Sequence, residues 1–232
     1  VRGSAVLLES NSYAKKNYAA GGLIGRISGT SSFAMDGCTV DGCVIGAYSP
    51  VNGSSGFPSD NADAVAGLTG SVYDRIANAV AYLLANPGSV SDGDAGGFIG
   101  TSEYAFTVRN SRVVSDAAST IILGFDNAGG ILGVGRGAGN YVCSDLEVRV
   151  TGHPFYILGK SGAAGICPSL PATATITVTA ENVTVAGKAG TPIRILAVLD
   201  DGKFNANASG LFASAPNNEN TQRFTFTLTD IE

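Results

Sequence analysis

The sequence predicts an all-β protein: a parallel β-helix (solenoid) with one helical insertion and a β-rich C-terminal end. The first observation behind this is a glycine-framed apolar motif that recurs. It reads Gly21-Gly22-Leu23-Ile24-Gly25, then Gly96-Gly97-Phe98-Ile99-Gly100, then Gly129-Gly130-Ile131-Leu132-Gly133. The second is that one strand-like template follows each copy. Its apolar or small positions are Phe33, Met35, Cys38 and Val40; Phe106, Val108, Ser111 and Val113; and Tyr141, Cys143, Leu146 and Val148. The third is composition. Hydrophobic residues make up 44% and charged residues 14%, so the chain folds but must cover its surface with small polar residues.

Taken in order, "VRGSAVLL" at residues 1–8 reads as the second half of a repeat unit. Each glycine motif is a corner followed by a core-facing strand, because tightly wound backbones need residues without a Cβ where they touch. Within the template, alternating apolar residues share one face of an extended chain. The interruptions Asp36-Gly37 and Arg109-Asn110 mark corners where its direction changes. Stacked units would then align Phe33, Phe106 and Tyr141 in one interior column and Val40, Val113 and Val148 in another. "AGLTG" at 66–70 and "FYILG" at 155–159 read as weaker copies of the motif.

Two stretches depart from the repeat. Residues 46–63, rich in Gly, Ser, Pro and Asn, read as a long loop. Val72, Ile76, Val80, Leu83 and Leu84 follow at helical spacing, after Ser71 as N-cap and before Asn86-Pro87-Gly88, which predicts a helix near 71–85. From residue 172 onward, strict alternation with many Thr predicts strands solvated on one side. The expected organisation is a solenoid over 1–168 and, over 169–232, further coils or a small β cap.

The glycine motifs, each followed by a strand with a mid-strand corner and a small residue or Cys, resemble the GLUG repeat. Clear copies lie at 21–40, 96–113 and 129–148 within a resemblance that covers residues 1–160. That repeat recurs in secreted and cell-surface bacterial proteins, many of them adhesin-like. The resemblance implies a right-handed solenoid on an exported protein, and it carries over no catalytic residues.

Charge and chemistry narrow the function further. A net charge of −5 with no basic run beyond Lys15-Lys16 excludes a nucleic-acid partner. No apolar run approaches the roughly 20 residues of a spanning helix. The one histidine, His153 before Pro154, reads as a turn residue, and no nucleophile motif or phosphate loop is present. The glycine-rich "GVGRGAG" at 133–139 reads as a corner. The acidic stretches at 59–63, 91–96 and 199–207 lack calcium-loop spacing and read as solvated turns. Cys38, Cys43, Cys143 and Cys167 match no zinc pattern, and leave two disulfides or four buried thiols equally open. Neither a catalytic residue, a metal nor a cofactor is expected. Arg109, Arg112, Arg149 and Arg194 lie on expected strands without distinction from solvated positions.

Most aromatics fall on template core positions. Tyr13, Tyr18, Tyr48 and Tyr104 are left over as candidates to stack on sugar rings. The expected function is that of an exported, non-enzymatic, secreted or cell-surface protein for adhesion or recognition. Its partner would be a carbohydrate or a host or bacterial surface protein. A polysaccharide lyase or hydrolase on the same scaffold is the alternative, and a structural filament or coat subunit the second.

Overall fold

The computed structural model describes residues 1–9, 18–29, 33–48, 93–159, 161–170, 175–197, 207–214 and 224–231. These residues form an all-β structure in which every pairing between strands is parallel. The chain visits four sheets in a fixed order and then begins again. The first circuit is β1 (Ala5–Glu9), β2 (Tyr18–Gly21), β3 (Ile24–Ile27) and the bent pair β4 (Phe33–Asp36) and β5 (Thr39–Asp41). The second is β6 (Val44–Tyr48), β7 (Gly93–Gly96), β8 (Ile99–Ser102) and β9 (Phe106–Val114). The third is β10 (Thr120–Gly124), β11 (Asn127–Gly129), β12 (Leu132–Gly135) and β13 (Gly139–Arg149). β14 (Phe155–Gly159), β15 (Gly162–Ala164), β16 (Cys167–Ser169) and β17 (Ile176–Ala186) make the fourth. The fifth is β18 (Ile193–Ala197), β19 (Asn207–Ser209), β20 (Phe212–Ser214) and β21 (Phe224–Ile231).

The first sheet runs β1-β6-β10-β14-β18, the second β2-β7-β11-β15-β19 and the fourth β4/β5-β9-β13-β17-β21. The third position is split into β3-β8-β12 and β16-β20. The Ile131 and Leu132 N–H groups donate to the Ile166 carbonyl and carry the contact from one piece to the other. This arrangement fits a parallel β-solenoid. The first, second and fourth sheets continue past residue 168, as does the third position through β16-β20, so the Thr-rich region completes the fourth circuit and adds a fifth. No helix occurs among the described residues, and the helix expected near 71–85 lies outside them.

The interior is a set of columns. Phe33 lies opposite Phe106, and Phe106 meets Tyr141 ring to ring. Val40, Val113, Val148 and Val185 share a second column, and Met35, Val108, Cys143 and Ala180 a third. The first sheet contributes Ile45, Ile122, Ile157 and Ile195. β-Branched residues suit these positions because their stiff side chains pack against like neighbours on a pleated surface. Burying each such side chain is worth about 1.5–3 kcal/mol.

The glycine motif has a geometric cause. A Cβ on Gly97 would overlap the Gly130 carbonyl, one on Gly130 the Gly165 carbonyl, and one on Gly22 the Gly97 carbonyl. Gly165 stands in the same relation to Gly210. So one glycine per circuit presses on its counterpart in the next. Copies of the corner therefore also occur at Ala164-Gly165-Ile166-Cys167 and Ser209-Gly210-Leu211-Phe212. "FYILG" at 155–159 is not a copy: as β14 it pairs with β10 and β18 in the first sheet. The other weak copy, 66–70, lies outside the described residues.

The four cysteines are free thiols, and Cys43, Cys143 and Cys167 are buried. Burial pushes the Cys143 and Cys167 thiols up to about 12.

Candidate functional site: a recess along the bend of the fourth sheet

In each of the first four circuits the fourth sheet is bent at one residue. Gly37, Asn110, Asp145 and Asn182 hold that position, with φ of 65°, 47°, 53° and 51°. Among residues with a side chain, Asn and Asp tolerate this left-handed conformation best, because their short polar groups bond locally. The bend also breaks the alternation, so Arg109 and Asn110 are both exposed while Val108 and Ser111 on either side are buried.

Side chains knit the bend from circuit to circuit. Asn110 Nδ2 donates to Asp36 Oδ1 at 2.9 Å, and Asn182 Nδ2 to Asp145 Oδ1 at 2.7 Å. Ser111 Oγ donates to the Arg109 carbonyl at 2.5 Å and accepts the Cys38 N–H at 3.0 Å.

A recess of about 440 Å³ lies along this bend. One row of its lining is Asn110, Asp145 and Asn182. The other is Thr39, Arg112, Glu147 and Thr184, which the register places directly opposite one another in successive strands. Ser111 and Leu146, both buried, lie between the rows. Arg112 Nε donates to Thr39 Oγ1 at 3.4 Å. Adjacent Arg112 and Glu147 also set a positive against a negative group across neighbouring strands.

The aromatic candidates do not gather here. Tyr13 and the side chains of Tyr18 and Tyr48 lie outside the described residues, and the backbones of the latter two belong to the second and first sheets. Tyr104 is half-buried in the joint between β8 and β9, where its N–H donates to Ser102 Oγ at 3.3 Å. Of the arginines, Arg112 lines the recess, whereas Arg194 stands over the Tyr156 ring at 6.0 Å on the first sheet. His153 is an exposed turn residue whose N–H donates to the Ser115 carbonyl at 2.7 Å. The sequence reading passed over Asn110, Asp145 and Asn182 as a site. Aligning the residue after Asp36, Arg109, Ser144 and Glu181 would have exposed the row.

A second polar cluster lies away from the recess. Asp94 was expected in a solvated turn, but it is a strand residue and only 1% exposed. Its Oδ1 accepts from Asn127 Nδ2 at 3.0 Å, and its Oδ2 from Thr101 Oγ1 at 3.2 Å and Arg136 Nη2 at 3.3 Å. Burial outweighs these donors and, with the Asp126 charge adding to it, raises the carboxyl to about 6. This carboxylate ties the second sheet to the turn after β12, where Arg136 sits. It does not line the recess.

Among the described residues, no group of three or more His, Cys, Asp or Glu is placed to hold a metal ion. No helix among them is long and apolar enough to cross a membrane. Comparison of the chain with family models, with curated proteins and with solved structures found no match.

Proposed function

We propose that the chain is a non-enzymatic, exported surface protein for adhesion or recognition, built on a right-handed parallel β-solenoid of GLUG-like repeats. The observation that carries this reading is the recess, where the same side-chain positions of successive circuits offer hydrogen-bonding groups in two rows. Right-handedness is favoured because parallel crossover connections take that hand in about 98% of cases. The aligned glycine motifs of β2–β3, β7–β8 and β11–β12 support the repeat assignment. A low content of ionic groups suits a surface that meets its partner through neutral polar contacts.

The test is binding of the labelled protein to a glycan array and to intact cells, run beside an assay for sugar release. Binding without release is the expected result. Failure to bind any glycan or cell overturns the reading.

A polysaccharide lyase or hydrolase is the second reading, favoured by one observation: Arg112, Asp145 and Glu147 line the same recess. Release of reducing or unsaturated ends from any polysaccharide would decide for it.

A further inference from the structure

We infer that the recess takes a neutral, linear polysaccharide lying along the stack, with about one sugar ring to each circuit. This rests on the recognition reading above and names its ligand class.

The first ground is spacing. Neighbouring strands lie about 4.7–4.9 Å apart, so corresponding side chains repeat at that interval along the recess. An extended chain of pyranose rings advances by nearly the same distance per ring. Polar groups on Thr39, Arg112, Glu147 and Thr184 would then meet successive rings at equivalent places.

The second ground is the kind of group presented. Arg112 only donates hydrogen bonds, Glu147 as a carboxylate only accepts, and Thr39 and Thr184 do both. A ligand that repeats a pure donor or a pure acceptor would satisfy one of these circuits and clash with the next. Hydroxyl groups donate and accept, so a polyhydroxylated chain satisfies them all.

The third ground is charge. Arg112 has Glu147 opposite it, and Asp145 already accepts a hydrogen bond from Asn182. A polyanion would meet two carboxylates against one guanidinium and is not served. A polycation would gain from those carboxylates but meet Arg112 at the middle of its path, so only a neutral chain meets no like charge at any circuit.

The experiment uses the intact chain with neutral linear oligosaccharides of two to six rings, their parent polymers, and polygalacturonate as a charged comparator. Affinity should rise with length and level off at about three or four rings, since the recess crosses four strands. Asn110→Gly and Asn182→Gly remove the amides yet keep the left-handed bend. Combined with Glu147→Gln, they should weaken binding at least tenfold while the wild-type circular dichroism and a cooperative urea transition are retained. Equal binding by the combined variant overturns the recess as the site and leaves surface recognition standing. Preference for polygalacturonate, or binding to cells but to no neutral glycan, overturns the ligand class alone. Absence of binding to every glycan and every cell defeats both proposals together.

Discussion

Tyr141 meets Phe106 edge to face, with ring centroids 5.3 Å apart and planes at 87°, across successive circuits of the fourth sheet. The Tyr141 hydroxyl donates to the Gly137 carbonyl at 2.8 Å, so a buried phenol has its polar end satisfied. Tyr141→Ala should cost about 3–5 kcal/mol, as large aromatic-to-alanine changes in a core do. Tyr141→Phe should cost about 1 kcal/mol, the net worth of one hydrogen bond. Urea unfolding of the two variants measures both, and a smaller loss for the alanine variant than for the phenylalanine variant would contradict the packing described.

Two glycines should respond in opposite ways to substitution. Gly37 has φ of 65° with open space around it, at the position where later circuits carry Asn or Asp. Gly37→Asn should therefore change stability by no more than about 1 kcal/mol. Gly97→Ala drives a methyl into the Gly130 carbonyl and should cost at least about 3 kcal/mol. Thermal melts of the pair give the comparison, and a well-tolerated Gly97→Ala would deny the close approach of circuits.

Stability should depend on pH through Asp94. Its carboxyl is raised from 3.8 to about 6, chiefly by burial. A carboxyl with a higher pKa in the folded state binds its proton more tightly there. Its contribution is therefore complete below about pH 4 and disappears as pH rises through 6. Wild-type stability measured relative to Asp94→Asn should fall by up to about 3 kcal/mol between pH 4 and pH 7.5. Urea midpoints of both proteins at the two pH values give the difference, and a constant offset would show that Asp94 does not titrate in this window.

The thiols give a count. Cys38 is half-buried, whereas Cys43, Cys143 and Cys167 are buried. The Cys143 and Cys167 thiols, pushed up to about 12, hold almost no thiolate at neutral pH. A thiol reagent should modify one cysteine per folded chain and four after denaturation. Rapid modification of Cys143 or Cys167 in the native protein would contradict the interior column that contains them.

The repeat was legible because its cause is local and recurs: a glycine that touches a glycine, then apolar residues at fixed offsets. Phe33, Phe106 and Tyr141 therefore fell into register from sequence alone. The copies at Gly165 and Gly210 were missed because Ala164 and Ser209 replace the first glycine of each, and Cys167 and Phe212 replace the aliphatic. Asp94 was misread because nothing near it in the chain announces burial. Its donors are Asn127 and Arg136, one circuit on, and Thr101 on the neighbouring strand. The recess had the same difficulty. Arg112, Glu147 and Thr184 are unremarkable one at a time, and become a row only when the circuits stack.

The joint between the first and second sheets takes residues 49–92 in one circuit and only Phe125 and Asp126 in the next. Yet β6 still pairs with β10, and β7 with β11, with no slip of register. Length at this joint is thus decoupled from the ladders on either side. Foreign peptides exchanged for residues within 49–92 should therefore leave both ladders paired, which makes that joint the place to graft epitopes, whereas the Gly124–Asn127 joint, filled by the buried Phe125, should not accept them.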